Sequence, residues 1–255
     1  MPESIVLSVV IPAYNAASIL DRSLPALRDW LQQQDLSFEI VVVDDGSLDK
    51  DKTALVCLTH QCRYLKNDRN LCKGAAVRNG ILDARGLYRV FTDADIPYGT
   101  ESIGNILNLL RQDLPVVIGD RTLTGSSYFS EIPWFRRISS AFFTHFVGRI
   151  VTSDFYDTQC GIKGFNAATA EKLFLLSRIH GFTFDVEVIY IALKLGIPIT
   201  KVPVQLRNQE KSTVRVFRHG VLMFMDLFRI KWNHLLGRYR QNGIQAARTT
   251  ASGYA

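Results

Sequence analysis

The chain has only four cysteines in 255 residues: Cys57, Cys62, Cys72 and Cys160. None forms a Cys-x-x-Cys pair and no histidine stands beside them at zinc-like spacing, which excludes the common zinc and thiol-redox motifs. Free thiols in a reducing compartment are expected. No run of about 18 apolar residues occurs, so no transmembrane helix is expected. No Gly-x-Gly-x-x-Gly follows the first apolar run, which argues against a dinucleotide-binding oxidoreductase. No basic stretch followed by an apolar one precedes Ile5, so no signal peptide is expected. There is no internal repeat and no Pro/Gly-rich linker. Residues 1–240 therefore read as one domain, and the small, polar stretch 241–255 as a disordered tail.

What is present is an ordinary globular composition, 47% hydrophobic, with an uneven charge. Residues 201–240 hold nine Lys/Arg against two Asp/Glu, in a chain whose net charge is +6. Such a basic region implies an anionic partner: nucleic acid, a lipid surface or a phosphorylated substrate. Its arginines are interleaved with core-like apolar residues rather than with exposed aromatics, which disfavours a nucleic-acid-binding module. No nucleic-acid partner is expected.

Short apolar runs predict strands at Ile5–Ile11, Phe38–Val43, Arg63–Lys66, Tyr88–Thr92, Val116–Gly119 and Ile197–Leu206. Helical spacing predicts helices at Ser18–Leu31, Lys52–Leu58, Gly74–Ala84, Ile103–Leu110, Trp134–Ile150, Ala167–Leu176, Phe184–Leu195 and Phe217–Leu236. The alternation implies an α/β fold with a mainly parallel sheet covered on both faces. Ligands bind beyond the carboxyl ends of strands in such sheets. Three polar clusters fall there: Pro12–Asn15, Asp44–Ser47 and Asp93–Asp95.

Asp93 and Asp95 carry the most chemistry. In extended backbone, residues i and i+2 point to one side, so both carboxylates are expected to face one ligand. Two hard oxygen donors suit Mg²⁺ or Mn²⁺, a cation that shares its shell with phosphates and waters. That predicts a metal-bridged diphosphate and a nucleotide substrate.

Four motifs, in order, carry a resemblance: Val10-Ile11-Pro12-Ala13-Tyr14-Asn15, Val43-Asp44-Asp45-Gly46-Ser47, Asn70–Gly80 (NLCKGAAVRNG) and Asp93-Ala94-Asp95. The chain resembles glycosyltransferase family two, which implies the single-domain GT-A α/β fold. Asp157–Phe165 (DTQCGIKGF) and Gly181–Glu187 (GFTFDVE) look like its polyprenyl-phosphate branch, with Phe184–Glu187 closer to the glucosyltransferases than to the mannose synthases. The resemblance implies an inverting transfer of a hexose, glucose favoured, from UDP-glucose or GDP-mannose to a polyprenyl phosphate. It further implies a divalent metal and a peripheral place on the cytoplasmic face of a membrane. The basic amphipathic helices at 134–150 and 217–236 suit such an interface. An alternative within the class is a polysaccharide transferase acting on a sugar hydroxyl.

The roles implied are these. Pro12, Tyr14 and Asn15 wall the base. Asp44 binds the nucleotide, and Asp45 orders its loop. Lys73, Arg121 and Ala94 line the donor site, with Asp93 and Asp95 on the metal. Asp95 and Asp157 are the catalytic candidates; Asp157 orients the site, or acts as base if the acceptor is an alcohol. Lys163, Lys211 and Arg215 hold the acceptor phosphate. The chain departs from the family pattern at Ala16 (often Glu), Pro97 (Gln in mannose synthases) and Lys211-Ser212-Thr213 (usually Ser-Lys).

If Lys211 and Arg215 hold the acceptor phosphate, replacing both with Ala removes two charge-assisted contacts, each worth about 1.5–3 kcal/mol. Transfer is expected to fall at least about tenfold, with donor hydrolysis less affected. An unchanged transfer rate would move the clamp elsewhere.

Overall fold

The structure is a computed structural model and describes residues 4–128, 157–207 and 216–240. The helix expected at 134–150, the tail, Lys211 and Arg215 lie outside the described residues.

Seven strands form one sheet: β1 (Leu7–Ala13), β2 (Phe38–Asp44), β3 (Arg63–Lys66), β4 (Tyr88–Thr92), β5 (Val116–Asp120), β7 (Ile162–Asn166) and β8 (Ile199–Pro203), in the order β3-β2-β1-β4-β7-β5-β8. A separate parallel pair joins β6 (Ser127–Tyr128) to β9 (Gln205–Leu206). The large sheet is parallel except for β7, which runs antiparallel to both β4 and β5. The helices are α1 (Ala17–Gln32), α2 (Lys52–Thr59), α3 (Lys73–Asp83), α4 (Gly99–Leu110), α5 (Ala167–Leu176), α6 (Phe184–Lys194) and α7 (Val216–Leu235).

The strand residues alternate between two cores. On one face Val10, Val41, Val43 and Phe91 pack with residues of α3, α5 and α6. On the other Val9, Ile11, Ile40, Val42 and Val90 pack with Leu20, Leu24 and Leu27 of α1 and with Ile103 and Ile106 of α4. Burial on both faces is why these strands read as unbroken apolar runs.

Strand β7 was not predicted from periodicity. Its second residue, Lys163, is fully buried, and its register places it opposite Phe91 and Ile118. A charge so placed must be paired. Lys163 Nζ donates to Asp185 Oδ1 and to the Cys160 carbonyl, both at 2.6 Å, and lies 5.4 Å from the centre of the Phe91 ring. The expected role of Lys163 at the acceptor phosphate is therefore corrected: its ammonium has no face open to a ligand and ties β7 to α6.

Removing one member of this pair should cost more than removing both. Lys163→Met is expected to destabilise by about 3–5 kcal/mol, and Lys163→Met with Asp185→Leu to recover most of that loss. Urea unfolding of the single and double variants measures the difference; additive losses would contradict it.

Candidate active site

The carboxyl ends of β1, β2 and β4 meet at one rim. Strand β4 stops at Thr92, and Asp93–Ile96 forms a turn closed by the Ile96 N–H donating to the Asp93 carbonyl at 3.0 Å. The two carboxylates therefore sit on a turn rather than on extended backbone, and the same-side argument from strand geometry does not apply. Both side chains are partly exposed at the rim. Gly161 lies against this turn, and a Cβ there would overlap Asp93 Oδ2. The turn before β7 thus reaches the carboxylate only because it carries glycine.

Lys73, the first residue of α3, forms an ion pair with Asp93 Oδ1. Burial opposes its charge, but Asp93, Asp185 and Asp95 outweigh burial and hold Lys73 above the ordinary lysine value. The start of α3 is fixed from below: the N–H groups of Gly74 and Ala75 donate to the His180 carbonyl at 2.7 and 3.3 Å. The loop holding His180 is fixed in turn by Glu187. Its Oε2 accepts from the N–H groups of Arg178 and Ile179 at 2.7 and 2.8 Å, and its Oε1 from the Tyr239 hydroxyl at 2.6 Å. Burial raises the Glu187 pKa despite these donors.

Asp44 is 1% exposed, and both its oxygens are engaged within the protein. Oδ1 accepts from the Ser47 N–H at 2.8 Å and Oδ2 from the Tyr64 hydroxyl at 2.7 Å. Asp44 thus ties the turn after β2 to Tyr64 at the end of the sheet where the nucleotide contact is expected. Asp45 orders its surroundings as expected: Oδ1 accepts from Asn67 Nδ2 at 2.8 Å and from the Leu71 N–H at 2.9 Å, joining two loops of the rim. Asn15 likewise binds backbone, its Oδ1 accepting from the Leu48 N–H at 2.8 Å. Pro12 pairs with Val43 in the sheet, and the Ala94 carbonyl accepts from the Ser23 hydroxyl at 2.6 Å. Tyr14 is 46% exposed and offers an aromatic face at the rim.

Asp157 meets Arg121 through three bonds. Its Oδ2 accepts from the Arg121 N–H at 2.7 Å and from Nε at 2.8 Å, and its Oδ1 from Nη2 at 2.6 Å. Burial opposes the carboxylate charge, but Arg121 overcomes it and holds Asp157 below the usual carboxylate range. A carboxylate so engaged is a poor proton acceptor, and its three bonds fix the position of Arg121. Arg78, whose Nε donates to the Phe174 carbonyl at 2.8 Å, packs toward α5 rather than the rim. Asp185, Glu187 and Gly161 all lie inside the quoted motifs, but only their partners in the fold give them individual roles.

The model of Glycosyl transferase family 2 matches residues 8–174. The chain belongs to this family and is a glycosyltransferase. It is 34% identical over 256 residues to a dolichyl-phosphate beta-glucosyltransferase of Dictyostelium discoideum, covering 93% of this chain and 77% of that protein. It is 30% identical to the human protein of the same name, covering 92% and 77%. Among solved structures it is similar to glucosyl-3-phosphoglycerate synthase from Mycobacterium tuberculosis, solved with Mn²⁺, UDP and glucosyl-3-phosphoglycerate. The TM-score is 0.64 at 17% identity, over 92% of this chain and 80% of that one. That likeness shows a shared GT-A fold, as the sequence motifs implied.

Asp157→Asn leaves the partly exposed Arg121 without its counter-charge and is expected to cost up to about 3 kcal/mol near neutral pH. A folded-state pKa below the unfolded value of about 3.9 means this stabilisation is full above that pH and fades as pH falls through the folded value. Denaturant unfolding of both proteins should show a gap that narrows below about pH 4. A gap independent of pH would contradict the pairing.

Proposed function

We propose that this chain transfers glucose, with inversion, from UDP-glucose in preference to GDP-mannose onto dolichyl or another polyprenyl phosphate at a membrane surface. The observation that carries the reading is the state of Asp157. A hydroxyl acceptor requires a general base because its pKa lies far above neutral. The one carboxylate put forward for that task is held by Arg121. A phosphate monoester has a second pKa near about 6 and arrives already deprotonated. The same observation weighs against a polysaccharide transferase.

In this mechanism a phosphate oxygen attacks the anomeric carbon from the side opposite the diphosphate, and the bond to the diphosphate breaks. The reaction then depends on positioning and charge neutralisation. Lys73 and Arg121 supply fixed positive charge at the rim, and Tyr14 supplies a face for the base. Asp93 and Asp95 suit Mg²⁺ or Mn²⁺: they are partly exposed hard donors, and no group of three or more His, Cys, Asp or Glu residues among the described ones forms a closed cage. When bound there, the cation would neutralise charge on the departing diphosphate.

No helix among the described residues is long and apolar enough to cross a membrane. Helix α7 instead exposes Met225, Phe228, Trp232 and Leu235 at helical spacing, which supports interfacial docking. All four cysteines are free, in keeping with a cytoplasmic face.

Asp95→Ala is expected to lower transfer by about 10²–10³-fold without unfolding the protein, since a rim side chain leaves no core cavity. Radiolabelled UDP-glucose and GDP-mannose, offered with a short polyprenyl phosphate with and without chelator, measure this. Full transfer by the variant or in chelator would overturn the metal role, and preferential use of GDP-mannose would overturn the sugar.

A further inference from the structure

At the end of α6 and α7 remote from Asp93, three basic side chains gather around one aromatic ring, and a fourth, Arg240, lines the adjoining pocket. Lys194 Nζ lies 5.5 Å from the centre of the Tyr190 ring and Lys231 Nζ lies 5.2 Å from it. The His234 ring meets the same ring edge-on at 5.5 Å. Lys194, His234 and Arg240, with Leu195 and Tyr239, line a pocket of about 300 Å³. Among the described residues no carboxylate forms a salt bridge with any of these four bases.

Like charges held this close are mutually unfavourable. Burial and then Lys194 hold Lys231 below the ordinary lysine value, and burial with Lys194, Lys231 and Arg240 holds His234 below the ordinary histidine value. Such crowding is relieved by an anion from outside the chain. The neighbouring surface says which kind. Trp232 and Leu235, 63% and 76% exposed, flank the cluster on α7 and continue an apolar stripe through Phe228 and Met225. An apolar stripe edged by cations, with an aromatic at the boundary, matches a bilayer interface rather than bulk water.

We propose that Lys194, Lys231, His234 and Arg240 form a binding site for the phosphate of an anionic phospholipid headgroup, which seats α7 on the membrane away from the catalytic rim. The proposal rests on the membrane-surface reading given above and adds a specific ligand and residues to it. Phospholipid binding here is separate from acceptor binding: the headgroup anchors the protein while the rim handles the substrate.

Flotation of the full chain with phosphatidylcholine vesicles, with and without phosphatidylserine, tests it. Phosphatidylserine should raise wild-type affinity at least about tenfold. Lys194→Gln with Arg240→Gln should lose that rise while keeping the affinity for phosphatidylcholine alone. Lys52→Gln with Arg111→Gln, an equal charge loss elsewhere, should keep the rise. Trp232→Ser should weaken binding to both vesicles. A phosphatidylserine-dependent rise that survives in the Lys194/Arg240 variant overturns the proposal. So does calorimetric binding of inorganic phosphate alone as tight as binding to the vesicles, which would mean a soluble anion. Glucose transfer to a polyprenyl phosphate in detergent separates the two readings. Transfer by the wild type alongside a phosphatidylserine-dependent rise that survives in the Lys194/Arg240 variant overturns the headgroup site alone, and absence of transfer by the wild type overturns the proposed function.

Discussion

A line of alternating charge runs from the middle of the sheet to the rim: Lys163, Asp185, Lys73, Asp93. Lys163 is fully buried and bonded to Asp185, and Lys73 is paired with Asp93. Asp185 also acts on Lys73 across the gap, helping to keep it charged. Buried charges are costly unless matched, so each member constrains the next. The position of β7 thereby fixes α6, the start of α3 and the turn that carries the two partly exposed aspartates. The antiparallel strand that interrupts the parallel sheet is the element through which the core reaches the active rim.

Most of the acidic side chains at this rim are already engaged. Asp44 and Asp45 hold the loops after β2 and β3, Glu187 holds the 178–181 loop and Tyr239, and Asp157 holds Arg121. This division of labour is consistent with a transferase whose nucleophile brings its own negative charge. The scaffold then has two tasks: keep the cations Lys73 and Arg121 in place and present Asp93 and Asp95 to the donor.

Much of the fold was legible because its strands are buried on both faces. The runs from Leu7 to Ile11 and from Ile40 to Val43 admit few other readings. Strand β7 was not legible, because Ile162-Lys163-Gly164-Phe165 breaks the apolar run. Lys163 is explained only by Asp185, 22 residues away. Gly164 is explained only by Ile106 of α4, which a Cβ there would overlap. The rim was legible as a set of motifs but not as roles. The resemblance groups Asp44, Asp157 and Lys163 at one site, whereas only the structure shows the partners that engage each of them within the protein.

The central claim is that catalysis here needs no protein base because the acceptor is a phosphate. Its most direct measurement is kcat/KM for the same donor with a short polyprenyl phosphate and with the corresponding free polyprenol. General base catalysis contributes about 10²–10⁴-fold where an alcohol is used, so the phosphate should be preferred by at least about a hundredfold. Comparable rates with the two acceptors would mean that a base operates at this site and would contradict the account.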